Sequence, residues 1–322
     1  MALFWENSKE VPFTKNNFLH GRFIRNERAS DPDFDYFLDA DFPDHLTIHQ
    51  DVVDSAIHGD LEAIYQLGKI HLIVPEEFDD DEDVAAMYLL KAATAGDPRA
   101  QFAYAEFLAS AYDPDDEDSS DPDLIVAWLK KAGESGNIHA QVLLGDIFSN
   151  RTIHDLDLSD DSQEASYWFR KAALQGIAEA QFQYALLLLN CGEGEDPVEA
   201  AYWLLHAALA SHELALDEFK ECLEWLEPNA DEDGFSSHIL GLAYYHGIGV
   251  GRDALRAEEL FREAIELGYS ETLASLAQLY WKGDVDGIVQ KQDEAIELMR
   301  QAVERSVPGT DEVLLTMRRV ES

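Results

Sequence analysis

The chain has 322 residues, 46% of them hydrophobic, which is enough to bury a full core and more than one simple globular core requires. Its 65 acidic against 23 basic side chains give a formal net charge of −42, which speaks against nucleic acid and anionic membranes as direct partners and would attract a basic protein. The two cysteines, Cys191 and Cys222, are too few for a disulfide framework or a cysteine-based zinc site and read as reduced thiols.

Residues 1–47 form a first region with its own composition. The opening "MALFWENSKEVPF" lacks the basic and apolar regions of a signal peptide, and the chain has no later stretch of 18 uncharged apolar residues, so a cytoplasmic location is expected. Aromatic residues recur through this region (Phe4, Trp5, Phe13, Phe18, Phe23, Phe34), and Lys9, Lys15, Arg22, Arg25 and Arg28 cluster early. Such a segment is too apolar for a solvated tail. It is expected to cap the first helices of the region beyond residue 48, with a partner-binding or dimerising arm as the alternative.

From residue 48 to 211 the chain repeats itself. "VVDSAIHG", "LLKAATAG", "LKKAGESG", "FRKAALQG" and "LLHAALAS" end at Gly59, Gly96, Gly136, Gly176 and Ser211, and two later copies end at Gly268 and Ser306. Before each mark, apolar residues draw one stripe along a helix, as Ala165, Trp168, Phe169, Ala172 and Ala173 do before Gly176. After most marks a second pattern starts four residues on, at Ala63, Ala100, Ala140 and Ala180. Only Gly or Ala stands five residues further along this second pattern, at Gly68, Ala105, Gly145 and Ala185, and later at Gly241 and Ala277. A small residue there lets two helices approach closely, and the terminal Gly is a left-handed helix cap.

Acidic loops separate the two helices of successive repeats. The first holds Glu76, Glu77, Asp79, Asp80, Asp81, Glu82 and Asp83; the second holds Asp113, Asp115, Asp116, Glu117, Asp118, Asp121 and Asp123. The third includes Asp160 and Asp161, and "EGEDPVE" (193–199) is the fourth. If repeats stack, loops of the same phase line one edge, so these acids are expected to form a ridge. The charge can serve helix capping and solvation, or it can bind a basic partner.

Residues 212–235 break the register. "ALDEFKECLEWL" (215–226) has the spacing of a first helix but carries Lys220 where a small residue is expected, and another first helix starts near Ser236, so this stretch reads as an irregular joint. Repeats resume over 236–322, closing on a first-type helix through Thr310, Leu314 and Leu315. Here "LGLAYYHGIGVGRDALRAEELFREAIELG" (240–268) resembles the Sel1-like repeat, a relative of the tetratricopeptide repeat, in its Leu-Gly, aromatic, Gly-x-Gly-Val, Asp and Ala-rich second helix. The resemblance covers roughly 49–319 and implies an all-α, right-handed solenoid of helix-turn-helix repeats. It also implies an adaptor for other proteins, without catalytic residues of its own.

No catalytic, cofactor or metal constellation competes with that reading. "NADEDGFSSHIL" (229–240) ends in Leu where a calcium loop needs a bidentate Glu. "GIGVG" (247–251) has no P-loop Lys-Ser/Thr pair, and His71 and His246 read as packing or surface residues. The remaining face of the first helices supplies a candidate groove: Ala103, Phe107 and Ser110; Leu143, Ile147 and Asn150; Gln183, Leu187 and Asn190. Apolar stripes with amide ends suit a peptide or helix, although the same positions could serve as inter-repeat core. The expected function is a non-enzymatic protein-binding scaffold acting through groove or ridge. An acidic immunity protein or inhibitor of a basic toxin or nucleic-acid-binding protein is the narrower alternative, and a regulatory subunit of an enzyme a third. The oligomeric state stays open.

Overall fold

A computed structural model describes residues 50–73, 81–110, 112, 121–149, 161–190, 197–283 and 287–321. Among them are fifteen α-helices and no strand. In chain order they are α1 (Gln50–Ile57), α2 (Leu61–Ile73), α3 (Asp81–Thr94), α4 (Pro98–Ser110), α5 (Pro122–Glu134), α6 (Ile138–Phe148), α7 (Ser162–Leu174) and α8 (Ala178–Asn190). They continue with α9 (Pro197–Leu209), α10 (Ala215–Asn229), α11 (Gly234–His246), α12 (Ala254–Glu266), α13 (Thr272–Lys282), α14 (Gln292–Glu304) and α15 (Thr310–Glu321).

The helices pack as hairpins of a first and a second helix: α2 with α3, α4 with α5, α8 with α9, α11 with α12, and α13 with α14. Between α6 and α7 the Asp161 N–H donates to the Phe148 carbonyl at 2.9 Å. Helices α1 and α15 are single flanking helices, and α10 is an extra helix packed against both α9 and α11. The chain forms two compact units, one ending at Trp168 and one beginning at Phe169, with the boundary inside α7.

Each hairpin is joined to the next by a left-handed residue. Gly59, Gly96, Gly136, Gly176 and Gly268 have φ between 86° and 99°, and Ser211 and Ser306 adopt 67° and 59°. At the second of these turns the Gly96 N–H donates to Ala93 and the Asp97 N–H to Ala92, which satisfies carbonyls the helix leaves orphaned. The residue after the turn then starts the next helix. Asp60 accepts from the Ala63 N–H (3.0 Å), Asp97 from Arg99 (2.9 Å), and Asn137 from Ala140 (2.9 Å). One turn further on, a buried glutamine reaches back. Gln101 donates to the Ala93 carbonyl at 3.2 Å, Gln141 to Gly133 at 2.8 Å and Gln181 to Ala173 at 3.3 Å, pinning each first helix to the end of the helix before it.

Within the hairpins the small residues set the approach. A Cβ added to Gly68 would lie 2.8 Å from the Leu89 side chain, and one added to Gly241 would lie 2.5 Å from the Phe261 ring. Gly133 of α5 meets Trp168 in the same way, at 2.7 Å. The first unit buries one apolar cluster from Val52 to Trp168. The second holds clusters around Phe261 and Tyr280, and around Met299, Leu314 and Met317.

In the second unit α9 and α11 meet through a run of rings: His206 to Tyr202 (4.4 Å), Tyr202 to Phe235 (5.5 Å), Phe235 to Tyr269 (5.1 Å) and Tyr269 to His238 (5.1 Å). His238 Nδ1 shares a hydrogen bond with Thr272 Oγ1 at 3.0 Å. Burial, with a contribution from His206, lowers the His238 pKa from 6.5 to about 4, and burial also lowers that of His206. Folding therefore favours the neutral imidazole. Above pH 6.5 neither state is charged and nothing is lost. Below it the unfolded chain takes up a proton that the folded chain refuses, so stability falls until about pH 4. For His238 the loss is on the order of 3 kcal/mol. Thermal unfolding across that window should show this decline, and His238→Gln should flatten the slope whatever it does to stability at pH 7.

Candidate functional site

Most of the expected acidic ridge (Glu76, Glu77, Asp79, Asp80, Asp113, Asp115, Asp116, Glu117, Asp118 and Asp160) lies outside the described residues. Those acids that are described sit at the starts of second helices. Asp81, Glu82 and Asp83 form the first turn of α3 and so belong to the helix, not to a loop before it. Asp121 is the N-cap of α5 and accepts from the Asp123 N–H at 2.9 Å, while Asp123 lies in the first turn. Asp161 accepts from the N–H groups of Gln163 and Glu164, both at 3.1 Å. Asp253 does the same for α12, accepting from Leu255 (3.1 Å) and Arg256 (3.0 Å). A carboxylate at these positions satisfies orphan donors and complements the helix dipole.

The starts of the first helices carry a second row of interactions in the first unit. Arg99 forms ion pairs with Glu62 and with Asp97 (2.8 Å), and its guanidinium lies 4.6 Å from the Tyr65 ring centre. Burial raises the Asp97 pKa, but hydrogen bonds from the Arg99 side chain and backbone outweigh it and hold the carboxyl below its ordinary range. One repeat on, the Phe102 and His139 rings lie tilted to one another with their centres 5.8 Å apart.

The candidate groove residues divide by burial. Ala103 and Ile147 belong to the core of the first unit, and Gln183 is buried with its amide donating to Glu179 at 2.6 Å. Leu143 and Ile147 face α4 and α5 across a residual void of about 10 Å³ shared with Ala105, Ala109, Ile125 and Leu129, which is packing between repeats. Phe107 and Leu143 are half-buried against the core, Leu187 is half-buried, and Ser110 is exposed with its hydroxyl donating to the Phe107 carbonyl at 2.8 Å. Asn150 lies outside the described residues, and Asn190 is the last residue of α8.

An open groove of about 360 Å³ lies in the second unit between α13 and α15, lined by Gln278, Trp281, Glu312, Val313, Thr316 and Met317. Val313 and Met317 stand at the same offsets from Ser306 as Ala103 and Phe107 do from Gly96. Thr310, Leu314 and Leu315 match the repeat in sequence, so extending the groove offsets onto this last helix would have found it. The glutamine clamps had a signal too, in the recurring Ala-Gln pairs (100–101, 140–141, 180–181). Among the described residues no group of His, Cys, Asp or Glu could hold a metal, and no helix is long and apolar enough to cross a membrane.

If Asp161 acts as a cap, Asp161→Ala should cost about 1 kcal/mol while Asp161→Asn, which caps as well without charge, should change stability by only a few tenths. Urea unfolding of both variants separates the roles. Equal losses would assign the residue's effect to its charge.

The family model of the Sel1 repeat matches residues 61–97, 98–137, 138–177, 178–212, 236–269 and 270–307. Each span holds one first and one second helix, and α10 falls in the unmatched stretch. No curated protein matches the chain. Among solved structures, a protective antigen of uropathogenic Escherichia coli with an SLR fold is 22% identical, with a TM-score of 0.43 over 82% of this chain and 58% of that one. A Sel1 repeat protein from Oxalobacter formigenes is 20% identical, with a TM-score of 0.44 over 80% of this chain and 75% of that one. With six repeats matched in register across an all-α helical-repeat fold, the chain belongs to the Sel1 repeat family.

Proposed function

We propose that the chain is a non-catalytic scaffold that binds a protein partner through the inner faces of its first helices. The observation that carries this reading is the groove between α13 and α15, lined by apolar Trp281, Val313 and Met317 together with polar Gln278, Glu312 and Thr316. Apolar side chains there provide affinity and the polar ones fix orientation, the combination used to hold a peptide or an amphipathic helix. Half-buried Phe107 and Leu143 offer a second, shallower face of the same kind in the first unit. The net charge of −42 favours a basic partner, speeding its encounter without fixing where it docks.

The same charge favours a narrower second reading, an acidic inhibitor that occupies the cationic face of a toxin or nucleic-acid-binding protein. The two readings differ in their response to salt, because exposed charges are screened over about 8 to 10 Å at physiological ionic strength. Capture from the native cell, washed in parallel at low and high salt, tests them together. The scaffold reading expects a partner that survives high salt and is lost with Trp281→Ala or Phe107→Ala in variants that keep the wild-type melting profile. A partner lost at high salt and on neutralising Asp79, Asp80, Asp81, Asp115, Asp116 and Glu117, yet indifferent to Trp281 and Phe107, would overturn it in favour of the inhibitor.

A further inference from the structure

Every first helix followed by its own second helix has Gly or Ala at one position: Gly68, Ala105, Gly145, Ala185, Gly241 and Ala277. Two first-type helices carry a long side chain there and have no second helix over them among the described residues, α10 with Lys220 and α15 with Leu315. They solve the uncovered face differently. On α10 it is polar, with Lys220 paired to Asp217 at 2.9 Å and Glu221 and Glu224 exposed beside them, so water covers it. On α15 it is centred on a leucine that is 56% exposed.

The charges around Leu315 are arranged symmetrically. Asp311 and Glu312 lie four and three residues before it, Arg318 and Arg319 three and four residues after it, and all four are exposed. At this spacing they share one helix face with Leu315. Turning a copy of α15 antiparallel about Leu315 brings Glu312 opposite Arg319 and Asp311 opposite Arg318, with leucine against leucine at the centre. A surface that complements itself under a two-fold rotation meets the requirement for an isologous contact.

We propose that α15 is a dimerisation surface, and that its occupant is α15 of a second copy of this chain, lying where a second helix lies in the complete repeats. The contact adjoins the partner groove, which faces α13 through Val313 and Met317, and shares Glu312 with its rim. Helix α15 spans 12 residues, about 18 Å, and two such helices bury less than a standard interface of about 1,200 to 2,000 Å². The association is therefore weak, populated at about 10 to 100 µM chain.

Sedimentation equilibrium of the full-length chain over that range tests it. A monomer–dimer equilibrium is expected, weakened about tenfold or more by Leu315→Glu, which removes the apolar centre. Asp311→Arg and Arg318→Glu should each weaken it about fivefold by turning both symmetric pairs repulsive, and the double variant should recover the wild-type dimer because the swapped charges again face one another. All three positions are exposed, and melting curves confirm that the variants fold. A chain that stays monomeric throughout, or a dimer indifferent to Leu315→Glu, or a double variant no better than the singles, would overturn the proposal and assign the face to another occupant or to solvent.

Discussion

The structure depends on a side chain that is missing. At Gly68 and Gly241 the first helix of a hairpin lets Leu89 and Phe261 of the second come so near that a Cβ would collide with them. The substitution of Gly for Ala in a helix interior costs about 1 kcal/mol, and the tight contact it permits has to return more than that in packing. The consequence is discrete. Where the position is small a second helix docks, and on α10, where it is Lys220, none does among the described residues, so the size of one residue per repeat goes with whether the hairpin closes.

The turns between hairpins obey the same economy of length. At Gly96 and Gly136 a single left-handed residue ends one helix, the next residue caps the following one, and a glutamine one turn into that helix ties back to a carbonyl left at the end of the first. Gly serves this purpose without strain, whereas Ser211 and Ser306 adopt the left-handed conformation at a cost. Those two serines precede α10 and α15, the two first-type helices with a long residue at the small position. The two departures from the turn and the two departures from the small position thus fall in the same places.

Much of the fold was legible because it repeats. The marks at Gly59 to Ser306, the small residues and the apolar stripes each recur at intervals that a helix translates into one face, and the Sel1 register emerges from them. The site was less legible because periodicity reports burial and contact without distinguishing them. Ile147 stands at the same offset as Phe107, yet it packs inside the repeat stack while Phe107 stays half-exposed. The acids presented the opposite difficulty. Asp121 and Asp161 read as members of a charged edge, but a carboxylate two or three residues before a helix's free N–H groups is also a cap, and the structure shows that use. Composition shows that charge is abundant; only geometry shows what each charge touches.

The central claim, that the small position decides hairpin closure, is tested most directly by exchanging sizes at two equivalent sites in the second unit and comparing their thermal unfolding. Gly241→Leu should lower stability by about 1 to 3 kcal/mol by forcing α11 away from Phe261, whereas Lys220→Leu, at the same register but with no helix above it, should stay within about 0.5 kcal/mol of the wild type. A Gly241→Leu variant as stable as the wild type, or a Lys220→Leu variant destabilised as much as it, would contradict the account.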